Sequence, residues 1–193
     1  MTQKPDAIRI QAHIDQLKEA AWLGTARAWW PDYVFHFTDI NNVPKILRAG
    51  YLLSRERALQ INPDFIDSGS RSVLQKTAEQ WKQYVRFYFR PKTPTLYRNE
   101  GIRPLKAQTL EAHCPVPIYL LFDSKAVLSL AETKFSNGNL ARQNTFTYFG
   151  AADFERLPFQ SIYHDGSISN NIDKDNIINC RHAEIIVPLA TRH

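Results

Sequence analysis

Residues 85–90 read Val-Arg-Phe-Tyr-Phe-Arg, with Val85, Phe87 and Phe89 alternating with Arg86, Tyr88 and Arg90. A period of two puts the apolar set on one face of a strand and the cations on the other, whereas a helix would scatter both around its circumference. The stretch therefore requires a sheet whose aromatic side meets a core. Other runs supply neighbours for it. Val34-Phe35-His36-Phe37-Thr38 alternates and is aromatic, Ile185-Ile186-Val187 is β-branched and closed by Pro188, and residues 145–150 are again aromatic. The apolar run from Val116 to Phe122, bounded by Asp123, predicts a central strand.

Near-helical spacing of Ile10, Ile14, Leu17, Ala21 and Leu23 or Trp22 predicts one helix over residues 8–28, ended by Trp29-Trp30-Pro31. A short helix is expected over 44–49, with Asp39 or Asn41 as cap, Pro44 in its first turn and Gly50 as its stop. Residues 124–131, capped by Ser124, and residues 154–157 complete the helices. Residues 55–80 carry turn signals at 62–64 and 67–70 and read as a long irregular connection, and residues 173–178 lead into the last strand. There is no repeat, low-complexity tract or linker. The expectation is one α+β domain over residues 1–193 with a mostly antiparallel sheet.

Two cysteines, Cys114 and Cys180, form neither a zinc-type spacing nor a disulfide framework, so no metal is expected and a reducing, cytoplasmic location is. No apolar run approaches the ~20 residues of a membrane helix, and the first residues lack a signal-peptide pattern. With seven glycines the chain has no phosphate-binding glycine loop. The net charge of +5 permits a polyanionic partner without requiring one.

Among candidate functional residues, Glu184 stands at the mouth of the last strand beside Arg181 and His182. Such a carboxylate is either a site or an edge-strand ion pair on a solvated face. His36, on a strand just before a helix, is most simply a satisfied core residue. The cations interleaved with aromatics over 81–98 suit single-stranded nucleic acid, with charges tracking phosphates and rings stacking on bases. They equally suit a half-buried strand whose arginine stems reach out to water. His164-Asp165-Gly166 has turn composition.

Three stretches taken together resemble the DarT family. They are Phe35-His36-Phe37-Thr38-Asp39 with Asn42-Val43-Pro44 and Gly50-Tyr51-Leu52-Leu53-Ser54; Val85 to Pro91 with Thr93-Pro94 and Tyr97; and Arg181-His182-Ala183-Glu184-Ile185 with Val187-Pro188. Ser136-Asn137-Gly138-Asn139 also resembles a family turn. The resemblance spans His36 to Pro188. It implies an ADP-ribosyltransferase-like split sheet, flanked by helices, with NAD in the cleft as co-substrate. It implies a toxin that ADP-ribosylates a base of single-stranded DNA and is countered by a macrodomain antitoxin. By the same resemblance Glu184 is the catalytic glutamate. Arg71 is the base-activating arginine, with Arg55 and Arg57 as competitors. His36, Thr38, Asn42, Leu53, Ser54, Arg55, Tyr88 and Tyr97 are expected around NAD. Arg86, Arg90, Lys92, Arg98, Arg103, Arg142, Arg181 and His182 are expected along the nucleic acid. Arg86, His182 and the Ser-Asn-Gly-Asn turn lean toward the guanine-directed branch. A monomer is expected. Transfer to RNA, a protein-modifying transferase and a non-catalytic single-strand-binding module are the competing readings.

The residue types fit that chemistry. Breaking the nicotinamide glycosidic bond builds positive charge on the ribose, which a fixed carboxylate stabilises. The acceptor base must be unstacked to reach a buried cleft.

Overall fold

The computed structural model describes residues 2–67, 79–101, 114–169 and 172–188. Among these residues six antiparallel strands lie in the order β3-β1-β2-β6-β4-β5. Strand β1 (Tyr33–Asp39) pairs along its whole length with β3 (Pro117–Asp123), from Tyr33↔Asp123 to Asp39↔Pro117. Strand β2 (Tyr84–Tyr88) pairs equally fully with β6 (Glu184–Pro188), from Tyr84↔Pro188 to Tyr88↔Glu184. β6 also pairs with β4 (Lys134–Ser136), which carries the short β5 (Thr147–Tyr148). The two halves meet at a single register pair, Phe35↔Tyr88. Past that point β1 and β2 part, and the His36 ring closes the gap with Nδ1 2.9 Å from the Arg86 carbonyl oxygen. The sheet is split, as the resemblance implied.

Valine, isoleucine and the aromatics of the alternating runs fill the core behind the sheet. Val85, Phe87 and Phe89 join Phe135, Phe154, Phe159 and Ile185 there. Phe154 stands nearly edge-on to Phe135, with centroids 5.2 Å apart, a geometry that adds to simple burial. Helix α1 (Ala7–Lys18) lays Ile10, Ile14 and Leu17 into this core.

Several sequence expectations give way here. The first helix stops at Lys18 rather than running to residue 28. The chain reverses through a turn closed by Leu23 N–H to Ala20 O and through Gly24 at φ 70°. Arg27 then donates to the carbonyls of Trp22 and Tyr163. Leu23 and Trp30 reach the core after that reversal. β3 is an edge strand, not a central one, with Leu121 44% exposed. The segment after Ser54, expected to be irregular, opens with a helix: α3 (Arg55–Ile61) follows α2 (Val43–Ala49), with Ser54 Oγ accepting from Arg57 N–H as its cap. Gly50 ends α2 at φ 73°, as expected. A short helix α4 (Glu79–Lys82) precedes β2, and α5 (Pro94–Asn99) follows it. Helix α6 (Ser124–Ser129) is capped by Asp123, while the Ser124 hydroxyl donates to Pro31 O. After α7 (Ala151–Glu155) and α8 (Phe159–Ile162), residues read as a lead-in form α9 (Lys174–Cys180).

Arg90 is the clearest correction. Expected along nucleic acid, it is 2% exposed. Its guanidinium donates to the carbonyls of Ile162 and His164, pairs with Asp165 at 3.0 Å and lies over the Trp30 ring. Lys92 also binds Asp165, and Arg181 reaches His164 Nδ1 and the Gly166 carbonyl. The His164-Asp165 turn is thus an acceptor for the buried Arg90, the half-buried Arg181 and the exposed Lys92. Removing one member of such a cluster strands the others, at a cost of about 3–5 kcal/mol. Arg90→Met is expected to lower urea stability by about that amount and to leave the salt dependence of nucleic-acid binding unchanged. A stable variant with a reduced salt slope would restore Arg90 to the binding surface.

Candidate functional site

The split in the sheet opens into a cleft with a cavity volume of about 190 Å³. β1 contributes His36, Phe37 and Thr38, β2 contributes Tyr84, Arg86 and Tyr88, and β6 contributes Glu184. Ile46, Leu52 and Leu53 from α2 and the turn after it form an apolar wall. The paired Arg55 and Asp67, with Thr95, Asn99 and Asn139, add polar groups to the lining.

Glu184 is the most constrained group in the cleft. It is 2% exposed and sits on an interior strand, not on the solvated edge the simpler reading required. Both Arg86 Nε and Nη2 donate to its Oε2. The Leu140 amide donates to Oε1 at 3.2 Å. Its own backbone N–H donates to Ser136 Oγ at 2.9 Å, and that hydroxyl donates to the Gly138 carbonyl. The Ser-Asn-Gly-Asn turn therefore fixes the glutamate from behind. A Cβ at Gly138 would lie 2.3 Å from Asn179 Nδ2, so any larger residue there would have to displace the Asn179 side chain. Burial pushes the Glu184 carboxyl above the ordinary carboxylate range, and Arg86 and the Leu140 amide oppose that rise. Burial alone would lower Arg86, yet the Glu184 carboxylate and Tyr88 hold it above its usual value. Arg86 thus keeps its proton and is Glu184's counter-ion, not a cation turned toward solvent.

His36 faces the same cleft as a neutral imidazole, lowered by burial. A carbonyl can only accept, so Nδ1 carries the proton and Nε2 is left as an acceptor. Tyr88 stacks on Phe37 at 5.6 Å and 15°. Burial, then the Glu184 charge, pushes its phenol up to about 12, so it keeps its O–H. Asn42 lines the cleft and ties it together: Nδ2 donates to Thr38 Oγ1 and Ile66 O, and Oδ1 accepts from Ile66 N–H. Arg55 is held by Asp67 through Nε and Nη2.

The structure thus gathers Glu184, His36, Thr38, Asn42, Leu53, Arg55, Tyr88 and Arg86 in one cleft. It does not bring Ser54 there, since its hydroxyl caps α3. Nor does it bring Tyr97, which is 63% exposed on α5. Arg71 and Arg103 lie outside the described residues. Arg98 and Arg142 are exposed and flank His182. His182 is not a surface cation: it is 7% exposed, with Nδ1 2.9 Å from Thr95 Oγ1. Sequence reasoning missed Thr95, Asn99, Asp67 and the Leu140 amide. Only Asp67 carried a signal, as a carboxylate twelve residues from Arg55, and it was read as turn chemistry.

The donor set suits a dinucleotide. Apolar walls and stacked rings accept planar heterocycles, while hydroxyls, amides and Arg55 can meet ribose and phosphate without a glycine loop. Among the described residues no group of three His, Cys, Asp or Glu could hold a metal ion. No helix among them is long and apolar enough to cross a membrane. Cys114 and Cys180 are buried, and burial raises the Cys180 thiol to about 11, which keeps it protonated.

A family model described as DarT, ssDNA thymidine ADP-ribosyltransferase, matches residues 35–191. Thermus sp. 2.9 DarT in complex with ADP-ribosylated ssDNA has a TM-score of 0.62 at 18% identity, covering 82% of this chain and 76% of that chain. The same protein in complex with NAD+ gives 0.57 at 19%, over the same shares of each chain. Thermosipho africanus DarTG in complex with ADP-ribose gives 0.54 at 21%, covering 82% of this chain and 41% of that one. These likenesses establish the fold. A search of curated proteins by sequence found no match.

Burial and the charges of Arg98, Arg142 and Arg86 lower His182 from 6.5 to about 4. On acidification the unfolded chain takes up this proton first. Stability is therefore expected to fall as pH drops from about 6.5 through 4, by on the order of 3 kcal/mol for this group. Urea midpoints of wild type and His182→Asn across that range check it: the variant should lose less. Parallel curves would mean that His182 titrates normally.

Proposed function

The chain belongs to the DarT family of single-stranded-DNA ADP-ribosyltransferases, and from that premise we propose that it transfers ADP-ribose from NAD to a nucleobase of single-stranded DNA with Glu184 as catalytic carboxylate. The observation that carries this reading is the buried Glu184 carboxylate, fixed by Arg86 and the Leu140 amide inside a cleft. A preorganised carboxylate in a water-poor site stabilises positive charge developing on a ribose without reorganising. His36 and Tyr88 border the same space and supply an acceptor and a hydroxyl to position the nucleotide. Arg55, held by Asp67 in the same cleft, suits a phosphate or hydroxyl contact.

Base choice takes a different course from the guanine expectation. Arg86 serves Glu184, His182 serves Thr95, and Ser136 serves the Glu184 backbone. None of the features behind that expectation supports guanine, and the family description names thymidine. The reading carried forward is a nucleobase, with thymidine favoured. A reversing antitoxin partner is supported by the DarTG neighbour seen with ADP-ribose.

Short DNA and RNA single strands incubated with protein and NAD, then analysed by mass spectrometry, test the proposal. One ADP-ribose added to DNA supports it, and fragmentation names the base. An adduct on RNA alone would move the substrate, and no adduct on either would end the reading. Glu184→Gln is expected to cut transfer at least about a hundredfold with unchanged circular dichroism. Arg71→Ala is expected to cripple transfer as well. If Arg71→Ala is silent and Arg55→Ala is not, the base-activating role belongs to Arg55.

A further inference from the structure

Two segments converge on Glu184, and Asn179 on α9 is bonded to both. One is the turn from α9 into β6, which carries the glutamate itself: the Asn179 carbonyl accepts from His182 N–H at 3.0 Å. The other is the turn after β4, where Asn179 Oδ1 accepts from Asn139 N–H at 3.4 Å. The residue after Asn139 is Leu140, whose amide reaches Glu184 Oε1 at 3.2 Å. Asn179 therefore ties together the two sides of the contact that orients the carboxylate.

The 3.4 Å bond is long and holds little alone. Packing completes the clamp. A Cβ at Gly138 would lie 2.3 Å from Asn179 Nδ2, 2.7 Å from Cγ and 2.8 Å from Oδ1, so the whole amide is seated against the Gly138 backbone. The start of the turn is anchored separately, by the pairing of Phe135 with Ile185 and by the Ser136 hydroxyl. Further along, Ala141 N–H donates to Asn139 Oδ1 and Thr145 Oγ1 donates to Asn139 O. Those last bonds join the turn only to itself. Asn179 supplies the tie, next to Leu140, that fixes it against the segment carrying the glutamate.

We propose that Asn179 is a positioning residue: it clamps residues 138–140 to the approach to β6 and so keeps the Leu140 amide on the Glu184 carboxylate. The proposal rests on the transferase reading above for its kinetic test. Asn179 acts through Leu140 and not on the substrate. A carboxylate that loses a donor is less firmly oriented and less readily ionised. The groups facing Glu184 are Arg86 and Tyr88 from β2 and the Leu140 amide from the turn. Arg86 keeps its proton and Tyr88 its O–H, so loss of the amide lets Glu184 protonate at a higher pH.

Asn179 is only half-buried, and Asn179→Ala is expected to keep the wild-type circular dichroism. At pH 7 its kcat for ADP-ribosylation is expected to fall about tenfold, with KM for NAD and DNA within about twofold, and the acid limb of its rate profile to move to higher pH. A helix contact with no role in the site would lower the urea midpoint and leave that limb in place. Gly138→Ala is a second route, since its Cβ displaces the same amide without deleting it. It is expected to reproduce the loss, and the double variant to be no worse than Asn179→Ala. Full additivity, or an unmoved acid limb, would overturn the proposal. Amide 1H–15N spectra give a readout independent of turnover. In wild type the Leu140 amide should shift as Glu184 ionises, and in Asn179→Ala that shift should largely vanish. An unchanged Leu140 titration would also overturn the proposal. An inactive wild type would count against the transferase reading and leave the spectra to decide this one, whereas an active wild type with an unmoved acid limb in Asn179→Ala counts against the clamp.

Discussion

The ion pair between Arg86 and Glu184 is the constraint around which the cleft is arranged. A carboxylate 2% exposed is costly unless it is paired and hydrogen-bonded. Here every surrounding element contributes to that requirement. β2 brings Arg86 opposite Ile186, two residue pairs along from Tyr88↔Glu184, and β4 with the turn after it brings the Ser136 hydroxyl and the Leu140 amide. Gly138 allows that turn to close against Asn179. The outcome is a negative charge held in one orientation in an apolar setting, which is the preorganisation that electrostatic catalysis depends on.

The split between β1 and β2 is the second condition. A continuous ladder would fill the space now open between the halves. The strands instead share one register pair, and His36 satisfies the Arg86 carbonyl that a backbone N–H would otherwise bind. One side chain thus lets the sheet open without orphaning a buried acceptor. That contact also fixes the imidazole tautomer, so the same bond that permits the cleft defines one of its walls.

Charge is distributed by depth. Arg86 and Arg90 are both internal, each consumed by specific acceptors, and they alternate on β2 and just beyond it with residues of the aromatic core. Arg98 and Arg142 stay at the surface near His182. A basic composition therefore overstates how much cation is available to a polyanion. The arginine series that looked like a phosphate track is in part a set of structural counter-ions.

From the residues alone, the strands are legible, because alternation in Val85 to Phe89 and β-branching in Ile185 to Val187 follow from local geometry. The Asp39 to Gly50 turn and helix are legible for the same reason, as are the family and Glu184 as a candidate. What the sequence does not encode locally is who meets whom. The helix over 8–28 fails because the chain reverses at Ala20 to Gly24, and Leu23 reaches the core by that turn and not on a continued helix face. β3 looks central because its composition is apolar, but edge position is set by strand order. Arg90 differs from Arg98 and Arg142 in burial, as His182 differs from a surface histidine, and that burial depends on residues 72 to 87 positions away, such as Ile162 and Thr95. Pairing, depth and tautomer arise only when distant strands and turns converge, so those the tertiary structure alone decided.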